Sequence, residues 1–545
     1  MKILRNIALL LAAAAIAPGC RKLDIAPNDQ YSSLNFWTSS ANVYNALNNN
    51  YSLLYNSNLY FNLEGTSDNA YSANNSDLLL IASGTANSQT PEFQNDWANY
   101  YSAIKSCNEF LAFVDQNKTL DAATITRLKA ETRFIRAFED FNLAKWYGDV
   151  PLINDNITEE QAKVVTKTPQ AQVYQFIVSE MDAIAAALPS KDQLTAAENG
   201  RITKGAALAL KARVLLYQGK WADVVTTCDQ LINNQNVNGT YSLAPNYEDL
   251  FNDPQTNKSN PESILSLQYV PATTRTWNNF WDFAPRSVGG RVNALAPTQE
   301  LVNDYIMLNG DSITQSGSGY NEANPYVNRD PRLTATIVYD KYTWNSKGNV
   351  NGPSKTIYIK PGTDPVQPGL DEYSKTSESS SPTGYYWRKY FDPSSLANFQ
   401  SGNNLHLFRY AEILLDYAEA QNALGQMNAT IWNQTIGALR ARAGFTDANA
   451  LNYPGNANMT AIIRRERRVE LAMEGLRTDD IRRWKIGNIV LNGYVHGAQF
   501  SGDPSTDNGY IRAQKRQFNP QRDYLWPIPL NETLLDKNLT QNPGY

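Results

Sequence analysis

The charge-dense segment Arg464–Trp484, RRERRVELAMEGLRTDDIRRW, most constrains the fold, because it holds seven arginines and five acidic residues in a chain of net charge −5. On a helical wheel, Val469, Met473 and Leu476 share one face, and Glu466 falls within that stripe. A buried charge is stable only when it is paired and hydrogen-bonded. The pattern therefore predicts an amphipathic helix whose carboxylates meet arginines inside the protein, and not a patch for nucleic acid.

Ion pairs are expected within this segment. Glu466 and Glu470 should meet guanidinium groups, with Arg477, Arg133 and Arg136 as candidate partners. We expect the remaining arginines to form solvated ion pairs, each of which contributes little stability, with the acidic residues Glu474, Asp479 and Asp480. The predicted structural ion-pair residues are Glu466, Glu470 and Arg477.

Helical periodicity dominates both ends of the chain and predicts a mainly α fold. Two segments are similar to tetratricopeptide units, with a turn at Gly219 in ALALKARVLLYQGKWADVVTTCDQLI and at Gly425 in RYAEILLDYAEAQNALG. Such helix pairs bury their faces only by stacking on neighbours; generic helical hairpins are the alternative. The predicted helices cover approximately residues 40–55, 92–116, 121–147, 169–188, 203–218, 221–234, 406–424, 429–443, 458–475 and 478–487.

The predicted architecture is a tetratricopeptide-like scaffold of helical pairs with long irregular loops and a few short strands. In the middle of the chain, glycine, proline, asparagine and serine interrupt short apolar runs, of which Ser263–Tyr269 and Leu333–Tyr339 are candidate strands. The predicted regions are a signal peptide at 1–19, a tether at 20–40, an N-terminal helical region at 41–240 and a C-terminal region at 241–545, which is loop-rich over 241–400, helical over 401–490 and irregular in its tail.

The first twenty residues predict export and lipidation. Lys2 and Arg5 precede a short apolar run, Ile7–Ile16, and small residues then lead to a cysteine. The run is too short for a permanent transmembrane helix, so it is typical of a cleaved signal. The position of Cys20 directly after Gly19 indicates a bacterial lipobox, with cleavage before Cys20 and lipid attached to it. An ordinary signal peptide cut slightly earlier is the alternative.

Composition narrows the chemistry further. Two histidines and three cysteines leave little material for a zinc site or a histidine-based catalytic apparatus. Cys107 and Cys228 lie beside apolar helical stripes and are predicted to be small buried residues, with a disulfide as the open alternative in an exported protein. The acidic loops lack the spacing of an EF-hand, so the sequence predicts no metal or other cofactor and leaves calcium unsupported.

Catalysis is not predicted either. Paired carboxylates can hydrolyse glycosides, but Glu466, Glu470 and Glu474 repeat along a helix among arginines. Ion pairing of this kind keeps carboxylates ionised and makes them poor acids. His406 and His496 have no nucleophile motif such as G-x-S-x-G near them. The sequence therefore favours a binding protein over an enzyme.

The stretch ERRVELAMEGLRTDDIRRW closely resembles the signature of the SusD/RagB family of Bacteroidetes outer-membrane lipoproteins. Further stretches agree with the family in the same order, and they are WANYYSAIKSCNEFL (97–111), ETRFIRAFEDFNLAKWYGDVPLI (131–153), GRITKGAALALKARVLLYQGKW (200–221), RYAEILLDYAEAQNALG (409–425) and YLWPIPLNETLLDKNLTQNPGY (524–545). The resemblance covers nearly the whole chain after Cys20, but residues 240–400 carry no family signature that can be placed.

The resemblance implies a helical body with tetratricopeptide-like units and long decorating loops. It also implies a protein that is lipid-anchored in the outer membrane and faces the cell exterior. Such a protein covers a SusC-type TonB-dependent transporter like a lid, binds oligosaccharides and passes them on without catalysis. Some members of the family bind peptides, so a peptide-capturing RagB-like lipoprotein that serves the same kind of transporter is the alternative.

Three loops combine aromatic rings with amides or carboxylates, which suit the faces and the hydroxyl groups of sugars. They are Glu64–Asn75, Thr273–Arg291 and Gly384–Tyr390. Loops on a rigid scaffold often carry binding residues, and an exposed aromatic cluster usually marks a binding surface; rings that pin the loops to the body are the alternative. The predicted glycan-binding residues are Asp68, Asn69, Tyr71, Trp277, Asn279, Trp281, Tyr386 and Trp387.

Overall fold

Helices provide most of the regular structure in a computed structural model that describes residues 36–270, 275–345, 354–374, 379–395, 397–455, 457–501 and 503–545. The predicted signal peptide, Cys20 and most of the predicted tether lie outside the described residues. Among the described residues, no helix has the length and apolar character needed to span a bilayer. The fold is mainly α with a few short strands, as the sequence predicts.

The helices fall into an N-terminal and a C-terminal set, separated by a region of short elements. In chain order they are α1 Ser40–Leu53, α2 Ser57–Gly65, α3 Ser76–Ser83, α4 Pro91–Phe113, α5 Ala122–Tyr147, α6 Glu159–Ala162, α7 Gln170–Ala185, α8 Lys204–Tyr217, α9 Trp221–Ile232, α10 Gln235–Asn238, α11 Asp249–Asn252, α12 Pro254–Lys258, α13 Gln299–Asp304, α14 Pro331–Thr336, α15 Tyr410–Ala423, α16 Ala429–Gln434, α17 Ile436–Ala443, α18 Ala448–Leu451, α19 Met459–Glu470, α20 Arg477–Arg483, α21 Gly487–Val490 and α22 Leu530–Leu535.

Short strands form two-stranded antiparallel sheets in the described part of the chain, and they pair as β1–β3, β2–β8, β4–β7, β5–β6 and β9–β10. In chain order they are β1 Ala70–Tyr71, β2 Ser263–Leu267, β3 Ala296–Pro297, β4 Ile337–Val338, β5 Tyr342–Trp344, β6 Lys355–Ile357, β7 Tyr386–Trp387, β8 Leu405–Arg409, β9 Gly493–His496 and β10 Arg512–Arg516. Most sheets therefore join segments that are far apart in sequence.

The predicted N-terminal helices are confirmed to within a few residues, whereas some C-terminal boundaries are wrong. The predicted helix 406–424 begins only at Tyr410, because the preceding residues pair with β2 as strand β8. The predicted helix 458–475 ends at Glu470, because Met473 and Gly475 take left-handed backbone φ values of 65° and 72°. Leu333 lies in α14, so only the end of the candidate strand Leu333–Tyr339 is extended.

Successive long helices stack side by side through the scaffold, in the order α4, α5, α7, α8, α9, α15 and α19. The two tetratricopeptide-like segments meet in this stack, because α9 of the first packs against α15 of the second. Gly219 and Gly425 both adopt left-handed φ at the predicted turns. Cys107 on α4 and Cys228 on α9 are buried free thiols, so the disulfide alternative is wrong.

One large hydrophobic core draws side chains from both halves of the chain, from Leu54 to Leu539. The C-terminal tail completes it, since Trp526 stacks on Trp146 of α5 at 4.4 Å between ring centroids and 13° between planes. This shared core holds the loops of the C-terminal half on a rigid base.

Candidate ligand-binding surface

The three loops singled out in the sequence converge in the structure. Strand β1 of the first loop pairs with β3, which follows the second loop, and β3 in turn contacts β7 of the third loop. Two hydrogen bonds reinforce this arrangement. The Trp387 backbone N–H donates to the Phe283 carbonyl at 3.2 Å, and the Ser72 hydroxyl donates to the Ala294 carbonyl at 3.1 Å. The aromatic side chains of the second and third loops, however, are buried.

The tryptophans of the second loop are buried, so their predicted role as sugar platforms is wrong. Trp277 and Trp281 expose 4% and 0% of their surface, and neither can present a ring face to a ligand. A 3₁₀ turn at Asn279–Asp282 separates the side chains by turning the rings inward and the polar groups outward. The indole N–H groups of Trp277 and Trp281 are also satisfied, because they donate to the Asn403 carbonyl and the Ser395 hydroxyl.

The third loop has the same outcome, and its predicted site residues are also corrected. Tyr386 and Trp387 form β7, pair with β4 and are almost fully buried. The Tyr386 hydroxyl donates to the Asp371 carbonyl at 3.1 Å, which satisfies its one polar atom inside the protein. Burial of a large ring removes apolar surface from water, and the interpretation that these rings pin the loops to the body is confirmed for both loops.

In the first loop, Asp68 and Asn69 are structural residues and not ligand contacts. The Asp68 carboxylate accepts from Arg477 at 2.7 and 2.8 Å and lies 3.0 Å from Arg468. Burial alone would raise the pKa of Asp68, but the two guanidinium groups outweigh it and lower the pKa to about 2. Asn69 is fully buried and links the Glu64 carboxylate to the Arg468 side chain.

The carboxylates of α19 are buried and paired with arginines, as the sequence predicts, but the partners differ. Glu466 contacts Arg332 at 2.6 Å and Arg440 at 2.9 Å. Arg477 pairs with Asp68 instead. The candidate partners Arg133 and Arg136 on α5 both contact Glu180 of α7. Glu470 contacts three guanidinium groups, those of Arg332, Arg409 and Arg442.

The expectation of solvated ion pairs for the other acidic residues of this segment is wrong. Glu474, Asp479 and Asp480 are all buried. Glu474 contacts Arg409 and Lys389, each at 2.7 Å. A buried pair is costly to break, because one charge is then left without compensation. We conclude that the arginine-rich segment is an internal ionic framework, the ion-pair network, which extends from the first loop to β8.

Two of the predicted site residues remain partly exposed. Tyr71 on β1 and Asn279 on the 3₁₀ turn are both half-buried. The Asn279 side-chain amide donates to the Asn58 side-chain carbonyl at 2.7 Å, on a surface that also carries exposed Asn278. Near Tyr71, the exposed Asn74 donates to the Asn293 carbonyl at 3.2 Å. The surface of these loops therefore offers amides and a hydroxyl group, whereas the tryptophans predicted as platforms are buried.

A tyrosine surface, defined by Tyr320, Tyr326, Tyr339 and Tyr510, was missed by the sequence reasoning. All four side chains are half-buried. Tyr326 stacks on Tyr339, with 4.0 Å between ring centroids and 19° between planes. The Tyr510 hydroxyl donates to the Glu322 carboxylate at 3.2 Å. The available signal was SGSGYNEANPYVN at 316–328, which has the same mixture of tyrosine, glycine and amide residues as the first loop, Glu64–Asn75.

Buried Arg329 organises the loop that carries Tyr320 and Tyr326. Its guanidinium donates to backbone carbonyls of Val302, Tyr305 and Pro325 at 2.6 to 2.9 Å. It also lies 5.5 Å from the centroid of the Tyr320 ring, a cation–π distance. A loop tied to the body in this way holds its tyrosines in place before any ligand arrives.

Comparison with known proteins decides the family. Residues 261–545 match a family model described as the SusD family, and residues 22–216 match one described as starch-binding, associating with outer membrane. A crystal structure of a SusD-like carbohydrate-binding protein from Bacteroides fragilis superposes with a TM-score of 0.82 at 31% identity, covering 93% of this chain and 100% of the other.

The chain belongs to the SusD family. A second SusD-like protein from Bacteroides fragilis superposes with a TM-score of 0.77 at 27% identity, covering 95% of this chain and 100% of that one. By sequence, the SusD-like protein P2 of Formosa agariphila is 25% identical over 468 residues, which are 82% of this chain and 80% of that protein. The SusD resemblance drawn from the motifs is thus confirmed.

This SusD-family member shows no metal site among its described residues, since no group of three or more histidine, cysteine or acidic side chains there is arranged to hold an ion. His496 has two carboxylate neighbours, Glu300 at 2.7 Å and Asp507 at 3.1 Å. Hydrogen bonding to Glu300, opposed by burial, raises the pKa of His496. Asp507 also pairs with Arg512, so this cluster is an ion-pair group that joins the β9–β10 hairpin to α13.

Proposed function

We propose that this protein captures oligosaccharides without cleaving them and that the tyrosine surface holds them. The observation that carries the proposal is the set of half-buried tyrosine rings beside hydrogen-bonding groups on rigidly held loops. Ring faces pack against the C–H faces of sugars, and carboxylates and amides bind their hydroxyl groups. The carbohydrate-binding description of the Bacteroides fragilis relative supports the same class of ligand.

The hydrogen-bonding groups of the tyrosine surface come from two loops. The Gln499 side chain donates to the Glu322 carboxylate at 3.1 Å and to the Asn508 carbonyl at 2.8 Å. Glu322 thereby has two protein donors, Gln499 and Tyr510, and retains lone pairs for sugar hydroxyl groups. We keep Asn279 and Tyr71 in the proposal as additional polar contacts for a longer oligosaccharide.

We further propose that the protein is anchored by lipid at Cys20 in the outer membrane, faces the cell exterior and delivers its ligand to a SusC-type TonB-dependent transporter. The match of residues 22–216 to a model described as associating with outer membrane supports this placement. Capture followed by transfer requires reversible binding, which a shallow surface of rings and amides provides better than an enclosed cavity.

Calorimetry of the protein against a panel of plant, algal and host glycans and a mixture of peptides tests the ligand class. We expect heat with at least one glycan and none with the peptides. Heat with peptides alone would contradict the glycan proposal and favour a peptide-capturing protein. New reducing ends after incubation with a bound glycan would contradict the absence of catalysis.

A pair of tyrosine variants tests the location. Tyr320→Ala should abolish or strongly weaken glycan binding, because it removes a ring of the tyrosine surface. Tyr494→Ala is the matched control, since Tyr494 is 40% exposed on β9 and contacts Arg512. Equal loss in both variants, or none in Tyr320→Ala, would exclude the tyrosine surface as the site.

A further inference from the structure

A second groove, of about 400 Å³, opens where α8, α15, α19 and α20 meet the first residue of α9. The side chains that matter for its chemistry are Trp221, Glu419, Asn422, Arg464, Arg483 and Trp484. Its volume falls within the range of roughly 300 to 1,000 Å³ typical of small-molecule sites. None of these residues belongs to the tyrosine surface, so the groove is a separate feature.

Arg464 supplies this groove with a cation that has no ion-pair partner and no hydrogen-bond acceptor among the described residues. Its guanidinium carbon lies 4.7 Å from the centroid of the Trp484 ring. Stacking of this kind fixes the plane of the guanidinium and leaves its N–H edge free. The adjacent Arg465, in contrast, lies 3.7 Å from the Asp304 carboxylate.

Glu419 lines the same groove but is already neutralised. Its two carboxylate oxygens accept from Arg483 at 2.6 and 2.7 Å, and one of them also accepts from the Trp484 indole N–H at 2.7 Å. The groove lining thus carries two arginines and one glutamate. The excess positive charge belongs to Arg464.

The charged groups beyond the lining do not change this balance. Asp480 influences Arg464, but its carboxylate contacts Arg467 and Arg483 at 2.9 and 2.8 Å. The other nearby cation, Arg477, is paired with Asp68 as described above. A half-buried arginine with free donors next to satisfied pairs favours an anion, and a planar carboxylate matches its fork of donors.

The uncharged residues of the groove indicate what kind of ligand carries this carboxylate. The Asn422 amide donates to the Thr460 hydroxyl at 3.0 Å, which leaves the amide oxygen as an acceptor and the hydroxyl as a donor for a ligand. Gln218 adds a further amide, and the half-buried Trp221 adds a ring. Hydrogen-bond donors and acceptors beside one aromatic ring suit a ligand with several hydroxyl groups and an apolar face.

We infer that this groove, the Arg464 groove, is a second ligand site that binds the carboxylate of an acidic sugar, such as a uronate unit, with Arg464 as the carboxylate-binding residue. The site is independent of the tyrosine surface. It gives the protein a separate binding point for a charged sugar.

Calorimetry with digalacturonate, and with galactobiose as the neutral counterpart, tests this inference on the full chain. We expect digalacturonate to bind more tightly than galactobiose and its affinity to fall with added salt. Arg464→Gln should weaken digalacturonate binding roughly tenfold or more, as expected for loss of a hydrogen bond to a charged group. Arg465→Gln is the matched control and should leave the affinity unchanged.

Three results would overturn the inference: equal affinity for the charged and neutral sugars, no effect of Arg464→Gln, or binding of a glutamyl dipeptide in place of digalacturonate. Thermal unfolding should be unchanged in Arg464→Gln, because this side chain makes no ion pair among the described residues. Tyr320→Ala should retain digalacturonate binding at the Arg464 groove. The outcome is therefore distinguishable from the test of the tyrosine surface.

Discussion

Two pairs of buried carboxylates, one on α5 and one on α19, have pKa values shifted in opposite directions. Helix α5 carries Glu139 and Asp140, which are each 1% exposed. Helix α19 carries Glu466 and Glu470, which are 2% and 0% exposed. All four are buried acidic residues on helices, so the neighbouring charges account for the difference.

In α5, burial wins. The Glu139 carboxylate accepts one hydrogen bond, from the Asn142 side chain at 3.0 Å, and its other oxygen has no hydrogen-bond partner among the described residues. Burial raises the pKa of Glu139 to about 8 and that of Asp140 to about 7. Near neutral pH Glu139 is largely protonated and Asp140 is about half protonated, because the charged form would be buried without sufficient compensation.

At Glu466 and Glu470 of α19, the effect of the arginines on the pKa exceeds that of burial. Burial alone would raise the pKa of Glu470, but Arg442, Arg409 and Arg332 outweigh it and hold the pKa well below its usual range. Burial therefore does not set the charge of these acids by itself; the guanidinium groups that contact the carboxylate oppose it. This explains how an arginine-rich segment can be internal in an acidic protein.

The largest expected effect is from Glu470→Ala. It leaves three buried guanidinium groups without their shared carboxylate, and we expect a loss of about 3–5 kcal/mol in the free energy of unfolding. Denaturant unfolding at neutral pH measures it. Glu159→Ala, which removes an exposed pair with Lys163, should change stability little; similar values for the two variants would contradict the contrast drawn here.

Asp68→Asn sharpens the same comparison on the acid side. The folded-state pKa of about 2 is below the ordinary 3.8, so the carboxylate contributes stability above pH 3.8 that is lost as pH falls toward 2. We expect the variant to lose about 2 kcal/mol at pH 7 and a smaller amount near pH 2. Unfolding midpoints across this range measure the difference, and a loss independent of pH would point to packing instead of charge.

Glu139→Gln tests the opposite sign. The folded-state pKa of about 8 is above the ordinary 4.5, so the contribution of Glu139 to stability is present below pH 4.5 and is lost as pH rises through 8. The variant should remove a loss on the order of 1–2 kcal/mol between pH 7 and 9. If the free energy of unfolding changed by the same amount between the two pH values in both proteins, Glu139 would be ionised throughout.

Asp140→Asn should have the smallest effect at pH 5, under about 1 kcal/mol, because an amide replaces a carboxyl group that is already neutral there. The same substitution in the ion-pair network, at Asp68, is the direct counterpart. If Asp140→Asn destabilised the protein as much as Asp68→Asn at pH 5, the two regions would not differ in the way proposed.

The sequence predicted the scaffold well, because local signals specify it. The boundaries of α5 follow from its periodicity and its cap, where the Asp121 side chain accepts from the Thr124 backbone N–H. The apolar stripes beside Cys107 and Cys228 predicted their burial. The arginine-rich segment, together with the other motifs in their order along the chain, identified the family.

The candidate site was predicted poorly, because aromatic residues in a loop carry no local signal of direction. Trp281 and Tyr320 are each followed by a polar residue in sequence, yet one ring is fully buried and the other is half-buried. Which ring turns inward depends on the partners that reach it, and Phe391 and Phe399 reach Trp281 from a segment about a hundred residues away.

By itself the sequence determined the helical scaffold, the family and the internal pairing of the arginine-rich segment, since periodicity, caps and the cost of an unpaired buried charge are all local. Only the tertiary structure decided which guanidinium meets which carboxylate. Arg332, Arg409 and Arg442 come from three separate elements to reach Glu470, and Arg464 is left without such a partner among the described residues. Those choices depend on distances across the folded chain, which no spacing in the sequence records.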